Sequence, residues 1–216
     1  MTTSLIRETF TVGPLACNCS IIGSPATGEA VIVDPGDEPD RVLAALKRLG
    51  LRPVAILVTH AHFDHVGGLA DLQTTTGVPI YMHDADKPLY EHLDMQTAIF
   101  GMPSIRPATI DRWAVDGDRV AFGDLAAQIL HTPGHTPGSL CFHVTDTVPL
   151  LLTGDTLFAG SIGRTDLWGG DHDTLIKSVH DKLLVFPDEA VVVPGHGPET
   201  TIGMERRYNR FLRSEI

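Results

Sequence analysis

Residues 53–65 read PVAILVTHAHFDH, and the fold turns on how that stretch is parsed. Its first seven residues form a continuous apolar run, too short for a helix and too apolar for a strand with one wet face, so they predict a central strand covered on both sides. His60-Ala61-His62-Phe63-Asp64-His65 then leaves the strand end as an H-x-H-x-D-H run. Side chains two apart on an extended segment point the same way, so His60 and His62 can reach one cation. Where the chain turns into a helix, Asp64 and His65 can face a neighbouring one. Such crowding predicts two metal ions about 3.5–4 Å apart.

Outward from this strand the pattern repeats. Residues 5–12, 17–23 and 29–34 read as short strands with turn chemistry at Gly13-Pro14 and Asp34-Pro35-Gly36, which predicts an antiparallel start. Helical spacing of Val42, Leu43, Leu46 and Leu49, with Pro39 in the first turn and Gly50 as a stop, predicts an amphipathic helix over 38–49. In the second half, strand-like 148–153 ends at Gly154-Asp155, a helix spans 172–185, and strand-like 190–193 ends at Pro194-Gly195-His196. Each half is thus strand–Asp, helix, strand–His, a pseudo-symmetry without repeated sequence. With β-rich 119–146 added, the class is α/β, two packed sheets with helices outside. A short helix over 85–93 and a long irregular stretch to residue 118 predict a lid. No low-complexity linker interrupts residues 1–216, so one domain is expected.

Three more ligand candidates stand at strand ends: His135 in TPGHTPG, Asp155 in GDT and His196 in PGHG. Their glycines and prolines make tight turns that aim one side chain inward. Alone, either histidine would ordinarily be a satisfied turn residue and Asp155 a helix cap; the set of seven changes that reading. Asp34, the matching strand-end residue of the first half, is assigned to holding its turn and the neighbouring ligand loop. Cys17 and Cys19 share one face of a strand and read as buried. His83, His92, His131, His143, His172 and His180 have no matching partners and are left as surface or structural histidines.

Composition narrows the function. Sixteen Lys+Arg against 27 Asp+Glu give a net charge of −11 without a basic run, which argues against nucleic acid as a partner. The first ten residues, MTTSLIRETF, lack a basic and an apolar signal region and no window is long and apolar enough to span a bilayer, so a cytoplasmic protein with no membrane partner is expected. Three cysteines make no disulfide framework. Eleven histidines are the unusual feature.

The set His60, His62, Asp64, His65, His135, Asp155 and His196, each in its own turn, resembles the metallo-β-lactamase-fold hydrolases and, within them, the glyoxalase II (hydroxyacylglutathione hydrolase) group. Segments GDTLFAGSIGRTDLWGGD (154–171) and PGHGPETTIGMERRYN (194–209) are most similar to its short, single-domain bacterial members. The resemblance covers essentially the whole chain. It implies a four-layer αββα sandwich with the metals at one edge of the sheets. It also implies first-metal ligands His60, His62, His135 and Asp155, and second-metal ligands Asp64, His65, His196 and a bridging Asp155. Two divalent ions follow, zinc first, with iron and manganese as the other candidates, and a glutathione thioester such as S-D-lactoylglutathione as the small-molecule partner. Asp64 would orient and deprotonate the attacking water. Longer glyoxalase II proteins carry a C-terminal helical domain with glutathione-binding residues; here 20 residues follow His196, one helix of about 204–212, and no such domain is expected. Arg164, Arg206 and Arg207 are the candidates to meet substrate carboxylates, with surface ion pairs as the competing reading. A persulfide dioxygenase with one Fe(II) on His60, His135 and Asp155, and a lactonase, are the alternative activities. Oligomeric state is not legible.

Overall fold

The computed structural model describes residues 5–212; the leader reading at residues 1–4 and the ends of the predicted domain lie outside them. Two six-stranded sheets make up the centre. The first carries β1 (Ile6–Val12), β2 (Cys17–Gly23), β3 (Glu29–Val33), β4 (Arg52–Leu57), β5 (Ile80–Met82) and β6 (Arg112–Trp113) in that order, antiparallel up to β3 and parallel from β3 onward. The second contains β7 (Arg119–Phe122), β8 (Leu125–His131), β9 (Leu140–Val144) and β10 (Leu150–Gly154). After a hairpin of β11 (Leu157–Phe158) and β12 (Ser161–Ile162), it is completed by β13 (Val191–Pro194) and β14 (Thr200–Thr201), in the order β14-β13-β10-β9-β8-β7.

Strand alternation explains the layers. In β4, Ala55 and Leu57 face the second sheet while Ile56 faces outward, and both sets are buried, so this strand is covered on both sides as its composition predicts. Val31 and Val33 of β3 meet Phe142, Leu150 and Leu152 of the second sheet in a central seam. Outside the first sheet, Ile32, Ile56 and Ile80 pack on α1 (Pro39–Leu49) and α3 (Leu69–Thr76), the latter preceded by the one-turn α2 (Phe63–Val66). Outside the second, Leu151 and Val192 pack on Leu175 of α6 (His172–Ser178) and Ile202 of α7 (Ile202–Tyr208). Three apolar seams between four layers make the αββα sandwich. Burial of a single Leu or Ile in such a seam contributes about 1.5–3 kcal/mol.

The pseudo-symmetry is topological as well. β3 pairs parallel with β4 across α1, and β10 pairs parallel with β13 across α6 (His172–Ser178) and its π-helical extension Val179–Leu183. α1 stops at Gly50, whose left-handed φ of 67° lets its N–H cap the Lys47 carbonyl.

The lid region departs from expectation. Instead of one helix over 85–93, the chain makes a 3-10 turn at Asp84–Asp86, α4 (Lys87–Tyr90) and then α5 (Leu93–Ile99). The rest is strapped down: the Tyr90 hydroxyl bonds both the N–H and the carbonyl of Ala108, Gln73 brackets Thr109, and Met102, Ile105 and Ile110 pack on the outer seam. The last helix, α7, spans Ile202–Tyr208, earlier than expected because Thr201 caps it by accepting from the Met204 N–H. Among the described residues, no helix is long and apolar enough to cross a membrane.

Candidate metal centre

All seven candidate ligands leave strand ends at one edge of the sandwich. β4 leads into His60 and His62, and α2 presents Asp64 and His65. His135 lies in the turn between β8 and β9, Asp155 follows β10, and His196 follows β13. Close approach requires glycine beside them. At Gly195 a Cβ would run into Asp155 Oδ1 and the His65 ring, and at Gly134, φ +132°, into the backbone of Leu175.

The side chains form two donor groups. His60 Nε2, His62 Nδ1 and His135 Nε2 make a triangle with edges of 2.9, 3.0 and 3.3 Å. His65 Nε2 and His196 Nε2 are 3.3 Å apart, with Asp64 Oδ2 at 3.2 Å from His196 Nε2 and 3.7 Å from His65 Nε2. Asp155 lies between, Oδ2 at 3.7 Å from His135 Nε2 and Oδ1 at 3.5 Å from His65 Nε2. A tetrahedral ion with bonds of about 2.0–2.1 Å to nitrogen sets its ligands about 3.3 Å apart. The observed edges have that scale.

Proton positions test whether these residues suit a cation. His135 Nδ1 faces the Arg164 carbonyl at 2.8 Å and His196 Nδ1 the Leu15 carbonyl at 3.1 Å; a carbonyl only accepts, so both Nδ1 atoms donate and, in the neutral imidazole that ligation needs, both Nε2 atoms are bare. The Thr59 hydroxyl gives its hydrogen to Asp34 Oδ2 at 2.6 Å, so His60 Nδ1 donates to Thr59 Oγ1 at 3.0 Å and its Nε2 is bare too. Bare nitrogens cannot bond one another, and Asp155 Oδ1 is buried without a hydrogen-bond partner. Divalent cations held by these groups would satisfy every one of these atoms.

Electrostatics agree. Burial alone would push the His65 imidazole down, but the Cys17 sulfur and the Asp64, Asp34 and Asp155 carboxylates around it hold it well above its ordinary value: the pocket attracts positive charge. Burial, with His135 and His65 nearby, pushes His62 down to about 3, which leaves it the neutral imidazole that ligation needs. Against burial, His65 and His196 hold the Asp64 carboxyl well below the usual carboxylate range.

The supporting residues are less legible in sequence. Asp34, at φ 48°, accepts from the Thr59 N–H and hydroxyl and from His65 Nδ1 at 2.9 Å, so one carboxylate orients a ligand in each group. Three others carry no motif. Asn18, between the two cysteines, donates to the carbonyls of Pro194 and Gly197 and fixes the His196 turn. Asp86 accepts from Ala61 N–H, Gly138 N–H and the Thr136 hydroxyl, joining the two loops that bear the first donor group. Gln96 accepts from Phe63 N–H and donates to Ala61 carbonyl, tying α5 to the H-x-H-x-D-H segment.

The centre opens into a cavity of about 760 Å³ between α5 and the segment after β11. Arg164 lines it, its guanidinium paired with Asp166 at 2.9 and 3.0 Å. Arg206 and Arg207 are not in its wall. Both bind Asp188, and Arg206 also donates to the carbonyls of Leu184 and Phe186, where it caps the end of the π-helical turn; the competing reading as surface ion pairs describes them. His92, set aside in the sequence, does stand in the wall, edge-on to Trp168 with ring centroids 5.4 Å apart. No periodicity could have marked it.

Comparison with known proteins agrees with this geometry. The profile of the family described as the Metallo-beta-lactamase superfamily matches residues 12–196, which span all seven candidate ligands. A Haemophilus influenzae relative named hydroxyacylglutathione hydrolase GloC is 42% identical over 200 residues, 92% of this chain and 93% of the relative. Among solved structures, the B3 metallo-beta-lactamase BLEG-1 superposes with a TM-score of 0.89 at 37% identity, covering 97% of this chain and all of that one. TTHA1623 in a di-iron-bound form superposes at 0.84 with 43% identity, over 95% of this chain and 100% of the other.

Proposed function

The chain belongs to the metallo-beta-lactamase superfamily, and from that premise we propose that it hydrolyses a glutathione thioester such as S-D-lactoylglutathione, releasing the 2-hydroxy acid and glutathione, on a centre of two divalent cations. The observation that carries this is the pair of donor groups joined by Asp155 at the floor of a cavity. The ions are taken as zinc, which the mixed His/Asp donors suit; the di-iron form of TTHA1623 makes iron the first alternative. Two bound cations supply hydroxide at neutral pH and polarise the scissile carbonyl.

The chain's own residues do the rest. Asp64 ligates beside His196 through Oδ2, and its second oxygen orients the attacking water and takes its proton. Asp34 and the carbonyls of Arg164 and Leu15 hold the imidazoles in the tautomers that face the ions. Outside the donor set, no aspartate, glutamate or lysine lines the cavity among the described residues, and the one histidine there, His92, turns its Nδ1 to the Pro88 carbonyl and packs edge-on against Trp168. A leaving amine would need such an acid. A thiolate, whose conjugate acid has a pKa of about 8.5, departs without one.

A one-iron persulfide dioxygenase would use His60, His135 and Asp155 and leave the second group idle. That group is complete, with His65 Nε2 and His196 Nε2 3.3 Å apart and Asp64 beside them, which favours hydrolysis. The test is hydrolysis of S-D-lactoylglutathione by metal-loaded protein beside Asp64→Asn, with metal content and oxygen uptake on glutathione persulfide measured in parallel. Expected are two ions per chain, no uptake and a loss of about a hundredfold or more in the variant. Equal rates would reject the role of Asp64, and one iron with rapid uptake would reject the hydrolase.

A further inference from the structure

The wall of the cavity is not built for a peptide carrier. On α5, Met95 and Ile99 lie four residues apart on one face and are 55% and 77% exposed, while Leu93 and Thr97 of the same helix are buried in the protein. Phe100 follows at 52% exposure, its ring 5.2 Å from Phe63, which sits between the ligands His62 and Asp64. Trp168, 56% exposed, closes the opposite side against His92. Large apolar side chains exposed together in a concavity mark a ligand site, and here Phe63 joins them to the candidate ligands on either side of it.

Charge points the same way. Glutathione presents two carboxylates and an ammonium group. Among the described residues that line the cavity, Arg164 is the one side chain with a permanent positive charge, and Asp166 already neutralises it through two hydrogen bonds. Arg206 and Arg207 are spent on Asp188.

We propose that the site selects its thioester by an apolar acyl group, a chain of several carbons or an aromatic ring laid between α5 and Trp168, and leaves the thiol carrier in solvent. This rests on the thioester reading above and narrows it: lactoyl is the small, polar end of the range, and glutathione is one carrier among several. The step is ordinary hydrolysis. Water adds to the carbonyl and gives a proton to Asp64, the C–S bond breaks, the sulfur leaves as thiolate, the acid is released as carboxylate, and the two protons of the water pass to solvent.

The experiment compares kcat/KM of the metal-loaded protein for lactoyl-, acetyl-, butanoyl-, hexanoyl- and phenylacetyl-glutathione, then for hexanoyl carried by uncharged N-acetylcysteamine. Expected is a rise of at least tenfold from acetyl to hexanoyl, mostly in KM, and a change under threefold on swapping the carrier. In Trp168→Ala the hexanoyl-to-acetyl ratio falls about tenfold. Ile99→Ser, at an exposed site with no packing to lose, should reduce the same ratio and serves if the tryptophan variant does not fold. Binding is read separately from the quenching of Trp168 fluorescence by hexanoate in a Trp113→Phe background. A flat or falling acyl series, a tenfold loss on changing the carrier, or an unaltered ratio in both wall variants would overturn the proposal. If no thioester is cleaved while hexanoate still quenches, the thioester reading falls and the apolar specificity stands; if lactoylglutathione is cleaved and hexanoate does not bind, the reverse holds.

Discussion

Asp34 is the residue on which both donor groups depend. Its two oxygens take three hydrogen bonds, two from Thr59 and one from His65, and through the Thr59 hydroxyl it also sets His60. Asp34→Asn keeps the volume but puts an amide where donors point, so one of them is left facing another donor. A loss of about 10–100-fold in metal affinity is expected, readable by titrating the apoprotein with zinc. Unchanged affinity would mean the imidazoles hold their tautomers without it. The seven candidate ligands and Asp34 were legible because each sits in a motif: a histidine run, or a Gly/Pro turn after an apolar strand. Asn18, Asp86 and Gln96 were not, because each is an ordinary polar residue whose partners in the loops bearing the candidate ligands lie 25 to 179 positions away in the chain, as in Ala61–Asp86 and Asn18–Gly197. Only the fold brings them into range.

Among elements, α5 shows where periodicity fails. Leu93, Met95 and Ile99 do not fall on one face, since Leu93 is buried and the other two look into the cavity, so the segment has no core-facing stripe to read. Tertiary bonds hold it instead. Gln96 reaches Phe63, Ala61 and Leu89, and Thr97 is buried. Gln96→Ala is expected to cost about 1–3 kcal/mol in chemical denaturation, from unsatisfied partners, and to raise KM more than it lowers kcat. A variant as stable as the parent would show that packing alone seats the helix. β1 to β4, β10, β13 and α1 were read within a residue or two, because double coverage and a Pro/Gly-bounded amphipathic pattern are local signals; the two- and three-residue strands β5, β6, β11, β12 and β14 are too short to show a period, and α4, α5 and the strap behind them depend on contacts with distant segments.

At the scale of the whole molecule, the sandwich keeps its three thiols out of reach. Cys17, Cys19 and Cys141 are buried and unpaired, and burial pushes Cys141 up to about 11 and Cys19 well above its ordinary value. At pH 8 the folded protein should therefore resist a disulfide reagent such as DTNB, and denaturant should release three equivalents. The linkage has a sign. A thiol kept protonated in the fold contributes no pH dependence below its unfolded pKa and costs stability above it, so stability should fall as pH rises from about 9 toward 11. Rapid labelling of the native state at pH 8 would show that the seam opens locally.

The donor set is shared evenly between the two halves. His60 and His62 meet His135 and Asp155, and Asp64 and His65 meet His196 and the other oxygen of Asp155, so each ion position draws two residues from either side of the central seam. During synthesis, a chain that has emerged only as far as β10 owns neither position in full, and one that stops short of His196 still lacks a corner of the second. On the proposed two-ion reading, loading becomes the closing event of assembly: full affinity requires the two sheets to have docked, and a nascent or half-folded chain would compete poorly for ions.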